Sequence, residues 1–110
     1  MSRAATATPA ALEAWFVYVL RCGDGSLYTG IARDVRARLD QHRSGKGARY
    51  TRGRGPLVLI VKVRCRGKGE ALRVELAVKA LSRPEKEAMI ARAGGLYGVV
   101  RKVRARTNGD

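Results

Sequence analysis

The stretch WFVYVLRCGDGSLYTGI, residues 15–31, decides the fold of this 110-residue chain. Its first six residues are apolar and rich in aromatic and β-branched side chains, which is typical of a strand covered on both faces. Gly23-Asp24-Gly25 is a tight-turn signal, and the run from Ser26 to Ile31 is typical of a second strand. The sequence therefore predicts a β-hairpin over residues 16–31.

The length of the turn decides whether the two tyrosines of this hairpin share a face. A three-residue loop at positions 23–25 places Tyr18 opposite Gly30 and Tyr28 opposite Leu20, so both tyrosines project from the same face. A two-residue turn shifts the pairing and puts them on opposite faces. A shared tyrosine site needs the three-residue loop, in which Gly30 has a structural role because it leaves room beside Tyr18.

Outside the hairpin, the sequence predicts one more strand and three helices. These are a helix from the N-cap Asp34 to about Arg43, a strand over residues 57–65, a helix over residues 70–81, and a last helix that Ser82 caps and Gly94-Gly95 ends. A basic, glycine-rich loop spans residues 44–56. We expect an α/β fold of the α+β type, with a small three-stranded antiparallel sheet flanked by helices.

The length of the chain fits one domain, which we place at residues 15–97. A flexible N-terminal extension at residues 1–14 is expected before it, and a basic C-terminal tail at residues 98–110 after it. The extension lacks an apolar signal core, and no apolar run approaches the roughly 18 residues of a membrane helix, so a cytoplasmic location is expected. Cys22 and Cys65 belong to no CxxC or Cys/His pair, which favours buried free thiols over a zinc site.

The charge of the chain indicates a polyanionic partner. Lys and Arg number 23 against 9 Asp and Glu, giving a formal net charge of +14. We expect DNA or RNA to bind mainly through its phosphate backbone, and we expect no membrane partner because no basic helix carries bulky apolar residues on one face. The predicted nucleic-acid-binding residues are Lys46, Arg49, Arg52, Arg54 and Lys79.

Three residues outside the hairpin are candidates for chemistry beside the tyrosines. Arg38 and His42 are spaced i, i+4 on their predicted helix, so they can reach one point above the sheet. Glu75 lies on an otherwise apolar side of its helix, where a carboxylate needs a partner. Its position fits Lys79 at i+4 and a divalent metal equally well. Each residue is unspecific alone, and their order along the chain carries the signal.

That ordered set resembles the GIY-YIG nuclease superfamily, in particular its small stand-alone bacterial branch. Val17-Tyr18-Val19 stands for the first tripeptide and Tyr28-Thr29-Gly30 for the second. Arg38 takes the arginine position of the family, His42 falls where many members place a histidine, and Glu75 lies in the region of the metal-binding glutamate. Neither tripeptide is literal, but both keep the tyrosine. The resemblance covers about residues 15–95.

The resemblance implies a metal-dependent endonuclease that hydrolyses DNA phosphodiester bonds. Glu75 would hold a single Mg²⁺ or Mn²⁺, and Arg38 would neutralise charge on the scissile phosphate. Tyr18 or Tyr28 would help to deprotonate the attacking water, and His42 would orient that tyrosine or relay its proton. Because the pKa of free tyrosine is about 10, neighbouring cations are expected to lower the pKa of the tyrosine that acts as base.

The resemblance also suggests the kind of substrate. Since the chain shows no second domain for target recognition, we expect structure-specific rather than sequence-specific cutting, in DNA repair or recombination. The alternative is a non-catalytic basic module that binds DNA or RNA on the same scaffold. Metal-dependent turnover that is lost with Glu75 or Tyr18 separates the two.

Overall fold

The hairpin has the register that a three-residue loop produces in the computed structural model, which describes residues 14–108. Strand β1 (Trp15–Arg21) pairs antiparallel with β2 (Leu27–Ala32). Tyr18 lies opposite Gly30, and Leu20 lies opposite Tyr28. The predicted face shared by the two tyrosines is confirmed, and their ring centroids lie 6.3 Å apart.

Strand β3 (Val58–Cys65) completes the sheet on the other side of β1, in the strand order β2-β1-β3. Both pairings are antiparallel, so the predicted three-stranded sheet is confirmed. Residues 17–20 of the central strand are at most 1% exposed, which explains the continuous apolar run at this point of the sequence. Cys22 and Cys65 are buried free thiols, as predicted.

Four α-helices and a short 3-10 turn surround the sheet in the described residues. They are α1 (Val35–Arg43), the 3-10 turn (Arg49–Thr51), α2 (Lys68–Lys79), α3 (Arg83–Ala91) and α4 (Gly95–Asn108). The predicted caps form, because the Asp34 carboxylate accepts the Ala37 N–H at 3.0 Å and Ser82 makes a capping box with Glu85. None of the helices over residues 14–108 is long and apolar enough to cross a membrane.

The two faces of the sheet carry separate cores, because side chains alternate along β1. Val17 and Val19 pack against α2, α3 and α4 on one face. Tyr18 and Leu20 point to the opposite face, where α1 and Leu57 pack against them. The tyrosine face is therefore covered by α1 and by Leu57, and α1 brings His42 to Tyr18.

The C-terminal segment differs from its prediction. Residues 98–108 do not form a separate basic tail but continue α4, which begins at Gly95. Leu96, Val100 and Val103 are spaced at i, i+4 and i+7 and are at most 6% exposed. Burial of this stripe outweighs the glycine signal at 94–95, so the domain extends past residue 97. The extension predicted for residues 1–14 lies outside the described residues, apart from Ala14.

The ion pair of Glu70 with Arg104 joins α4 to α2. Arg104 Nε donates to Glu70 Oε2 at 2.8 Å, and Arg104 Nη2 donates to Oε1 at 3.1 Å. The Arg66 N–H also donates to Oε1, at 2.8 Å. Burial alone raises the pKa of Glu70, but these donors outweigh it and hold that pKa below its usual value. The pair therefore anchors the helix that residues 98–108 continue.

We expect Glu70→Gln to lower the free energy of unfolding by about 1–3 kcal/mol, because Arg104 loses a charged, hydrogen-bonded partner. Since the folded-state pKa of Glu70 is depressed, its contribution is present above the unfolded-state pKa of about 4.3 and is lost as pH falls through the folded-state value. Urea unfolding at about pH 7 and about pH 3 measures both the loss of stability in Glu70→Gln and its dependence on pH. An undiminished difference between the two proteins at the lower pH would contradict the ion pair as its source.

Candidate active site

The Tyr18 hydroxyl is the centre of the candidate site. Tyr18 is only 1% exposed, and its neighbour across the strands, Gly30, is also buried. A Cβ atom at position 30 would lie 2.6 Å from Tyr18 Oη, which is closer than Cβ atoms approach other groups, and in tight contact with Tyr28 Cε2 at 3.0 Å. Gly30 therefore makes the space in which the two tyrosines lie together.

His42 contacts this hydroxyl from the last turn of α1. Its Nε2 lies 2.7 Å from Tyr18 Oη, and its ring packs edge-on against Tyr28 with the centroids 5.2 Å apart. His42 is 2% exposed. Burial, aided by the positive charge of Arg38, lowers the pKa of His42, so the imidazole is neutral at neutral pH. The predicted position of His42 beside the tyrosine pair is observed.

The other edge of the His42 ring faces the basic loop. The Ala48 N–H donates to His42 Nδ1 at 3.2 Å, and Thr51 Oγ1 lies 3.1 Å from the same nitrogen. A Cβ atom at Gly47 would overlap Nδ1. These three loop residues are not predictable from the sequence, because neither the composition of the loop nor its spacing indicates which residue contacts the histidine.

Arg38 and Glu75 act on Tyr18 with opposite signs. The pKa of Tyr18 is raised to about 12; burial is the largest cause, and the nearby Tyr28 and Glu75 also raise it. The guanidinium of Arg38 opposes them by favouring the ionised hydroxyl. Arg38 itself donates to Gln41 Oε1 at 2.7 Å. In the protein alone, burial thus outweighs the cation, and the pKa of Tyr18 moves opposite to the expected direction.

Glu75 has the helix partner that its spacing predicted. Its Oε2 lies 3.2 Å from Lys79 Nζ, and its side chain is 16% exposed. Over residues 14–108, the structure gathers no group of three or more His, Cys, Asp or Glu side chains. A metal here would rest on the Glu75 carboxylate, with water and substrate oxygens completing its shell. That donor set fits Mg²⁺, which is often bound through one or two carboxylates together with phosphate.

The predicted nucleic-acid-binding residues fall into two groups, those that form an ion pair within the protein and those that do not. Arg54 Nη1 pairs with Asp24 at 2.6 Å, and its guanidinium carbon lies 4.3 Å from the centre of the Tyr50 ring. Tyr50 is 42% exposed and packs near Tyr28. Arg54 and Tyr50 of the loop therefore contact Asp24 and Tyr28 of the hairpin beside the site. Lys79 pairs with Glu75. Within the described part of the chain, the exposed cations that form no ion pair include Lys46, Arg49 and Arg52.

A cleft of about 540 Å³ lies on the loop side of His42. His42 and Thr51 form part of its wall, with Arg43 and Arg52 also lining it. The Tyr18 hydroxyl is not among its lining groups. The cleft therefore borders the site through the histidine and the loop, and neither Arg38 nor Glu75 lines it.

Several known proteins are similar to this chain in sequence and in fold. A family model described as the GIY-YIG catalytic domain matches residues 14–88. A UPF0213 protein of Nitratidesulfovibrio vulgaris is 49% identical over 83 residues, which cover 76% of each chain. The solution NMR structure of the UPF0213 protein BH0048 from Bacillus halodurans is similar with a TM-score of 0.50 and 48% identity, over 81% of this chain and 95% of that chain. The solution NMR structure of EF2693 from E. faecalis matches with a TM-score of 0.52 and 37% identity, over 72% of this chain and 84% of that one.

Proposed function

Because the chain belongs to the GIY-YIG family of nuclease catalytic domains, we propose that it is a metal-dependent endonuclease that hydrolyses DNA phosphodiester bonds. One observation carries this proposal: side chains of two helices, α1 and α2, act on one hydroxyl of β1. Tyr18 Oη of β1 lies 2.7 Å from His42 Nε2 of α1, and both Arg38 and the α2 residue Glu75 influence its ionisation. A scaffold that only binds nucleic acid has no need of this convergence.

Tyr18 is the tyrosine that activates the attacking water in this proposal. Its hydroxyl has the polar neighbours, whereas the Tyr28 ring makes aromatic contacts with His42 and Tyr50. With a pKa of about 12, the Tyr18 phenolate is a strong base but is rarely formed at neutral pH. Arg38 favours that phenolate, and it also supplies positive charge for the scissile phosphate in the transition state.

Glu75 would hold the single Mg²⁺ or Mn²⁺. When bound, the metal would supply Lewis-acid stabilisation of charge on the phosphate and on the leaving 3′-oxygen. Lys79 Nζ lies 3.2 Å from Glu75 Oε2, so it is the neighbouring cation of this carboxylate. It also adds a cation near the place where the phosphate backbone would lie.

Gly30→Ala is expected to slow turnover by about 100-fold, because the added methyl group would force Tyr18 Oη away from its position and a misplacement of about 1 Å costs that much. Single-turnover cleavage rates measure the effect, and far-UV circular dichroism checks the fold. Gly98→Ala is the matched control, since a Cβ at that helical position meets no atom within 4 Å. Equal rates for the two variants would show that the space beside Tyr18 is not needed.

The basic loop holds the nucleic acid by its backbone in this proposal. Lys46, Arg49 and Arg52 are exposed and form no ion pair among the described residues, so they can neutralise phosphates without losing an internal partner. Contacts of this kind carry no base information. Such contacts fit recognition of structure, such as flaps, forks or single strands, whereas a place in DNA repair or recombination in the cytoplasm is proposed from the family resemblance.

Arg52→Ala is expected to weaken DNA binding and to reduce the slope of log affinity against log salt by about 0.7–0.9, because one phosphate contact is lost. Fluorescence anisotropy over a range of salt concentrations measures both quantities. Lys102→Ala removes one charge from the exposed side of α4, across the sheet from Tyr18, and should change the slope far less. Equal slopes for the two variants would contradict a local contact at the loop.

A screen of flapped, forked, single-stranded and duplex DNA, and of RNA, tests the proposed function with Mg²⁺, with Mn²⁺ and with chelator. We expect cleavage of at least one DNA structure that requires metal and is lost in Glu75 and Tyr18 variants. Tight, salt-sensitive binding without cleavage under any condition would instead support the non-catalytic module. Preferential cleavage of RNA would support the proposed phosphodiester hydrolysis but would make RNA the substrate in place of DNA.

A further inference from the structure

His42 can carry its single proton on either ring nitrogen, and the two arrangements give it opposite roles. With the proton on Nε2, the ring donates a hydrogen bond to Tyr18 Oη. With the proton on Nδ1, Nε2 has a lone pair that accepts the Tyr18 proton, as a base would. The 2.7 Å distance between Tyr18 Oη and Nε2 fits both. The choice is therefore made at the other nitrogen.

The Ala48 amide determines the state of Nδ1. Its N–H points at Nδ1 from 3.2 Å, and a backbone amide is a donor that cannot turn its hydrogen elsewhere. Nδ1 must then offer a lone pair. A proton on Nδ1 would face the amide hydrogen directly and would leave the Ala48 N–H without an acceptor.

Thr51 agrees with either arrangement, because its hydroxyl can rotate. Thr51 Oγ1 lies 3.1 Å from His42 Nδ1 and 2.9 Å from the Ala48 carbonyl oxygen, so it can donate to one or the other. Gly47 keeps this side open, since a Cβ there would overlap Nδ1. The Ala48 amide can act only as a donor to the ring, whereas the Thr51 hydroxyl can act as donor or acceptor.

We infer that the basic loop holds His42 as the Nε2–H tautomer, so that His42 donates to Tyr18 Oη and is a positioning residue rather than the acceptor of the tyrosine proton. The catalytic meaning of this inference rests on the proposed function, although the tautomer itself does not. Because His42 Nε2 already carries a proton, it cannot accept the Tyr18 proton, which is lost to solvent in a prior equilibrium. The resulting phenolate takes a proton from the attacking water, and the Nε2–H stabilises the negative oxygen before that transfer.

This arrangement makes the loop part of the catalytic machinery. The segment that carries Lys46, Arg49 and Arg52 toward the phosphate backbone also carries the amide that orients the histidine. A displacement of residues 47–51 would release His42 Nδ1 and with it the donor to Tyr18. Binding of the backbone and positioning of the tyrosine are thus properties of one loop.

Nitrogen-15 NMR of the wild-type protein without a tag tests the tautomer directly, because His42 is the only histidine in the chain. Two-bond proton–nitrogen correlations identify which ring nitrogen carries the proton. We expect a protonated Nε2 and an unprotonated Nδ1 at neutral pH. A proton on Nδ1 would overturn the inference. The result needs no activity, so it stands apart from success or failure of the proposed nuclease function.

Two amide variants test the role in cleavage. The glutamine of His42→Gln places a side-chain N–H donor near the position of His42 Nε2, and the cleavage rate should fall about tenfold. The asparagine of His42→Asn carries the same amide on a side chain one carbon shorter, which cannot reach that position, and the cleavage rate should fall about 100-fold. Thermal unfolding checks that both are folded. If His42 accepted the Tyr18 proton, glutamine would not replace it, and equal rates for the two variants would overturn the positioning role. If either variant fails to fold, the NMR result on the wild-type protein still decides the tautomer.

Discussion

Replacing Glu75 by glutamine is expected to reduce metal-dependent DNA cleavage about 1000-fold, which corresponds to a loss of about 4 kcal/mol of transition-state stabilisation. The change keeps the size of the side chain and removes the charge that would hold the metal. The described residues contain no cluster of three or more acidic, histidine or cysteine side chains, so the proposed metal depends on the Glu75 carboxylate. DNA affinity should remain or increase slightly, since one negative charge is lost.

Cleavage rates at several Mg²⁺ and Mn²⁺ concentrations measure the effect of Glu75→Gln. Glu85→Gln makes the same change in the capping box of α3, where glutamine also caps, and it should behave like the wild type. If the Glu75 variant cleaved at the wild-type rate with the same metal dependence, Glu75 would have only its structural partner, Lys79.

Tyr18→Phe is expected to lower the cleavage rate by about 1000-fold, because positioned proton transfer contributes roughly 100- to 10,000-fold. The ring and its packing remain, and only the hydroxyl that lies 2.7 Å from His42 Nε2 is removed. Tyr28→Phe should cost clearly less, since Tyr28 contributes aromatic contacts. Single-turnover kinetics with each variant assigns the base. A larger loss in Tyr28→Phe would move that role to Tyr28.

The dependence of the rate on pH follows from the same residue. The pKa of Tyr18 is raised to about 12, so the phenolate is a minor form at neutral pH, and its population grows about tenfold for each unit of pH below that value. The wild-type rate should therefore rise with pH, and the residual rate of Tyr18→Phe should depend on pH much less. Tyr97→Phe, at an exposed position of α4, is the control and should keep the wild-type slope. A wild-type rate that is flat with pH would contradict ionisation of Tyr18 as the activating step.

The local parts of this fold could be predicted from the sequence. The hairpin register depends on three turn residues and on alternation along two short strands, and it puts Tyr18 opposite Gly30 as expected. The spacing of Arg38 and His42 on one helix depends only on the period of that helix. In the structure His42 contacts the Tyr18 hydroxyl and Arg38 influences its pKa, so two residues of the ordered set are brought to the same tyrosine.

The C-terminal segment could not be placed in this way, because its structure depends on distant partners. The glycines at 94 and 95 indicate a stop, and the basic residues after them suggest a solvated tail. Val100 and Val103 are instead buried against the sheet, and Arg104 pairs with Glu70 of α2. Helix propensity is a weak signal when tertiary burial acts on the same residues.

By itself, the sequence determined which face carries the tyrosines, which helix carries Arg38 and His42, and to which family the chain belongs. Only the tertiary structure decided the direction of the Tyr18 pKa shift, because that direction depends on how deeply the hydroxyl is buried against α1. Only the tertiary structure brought the Ala48 amide to His42 Nδ1. Burial and loop closure join residues that are distant in the sequence, and no local pattern specifies them.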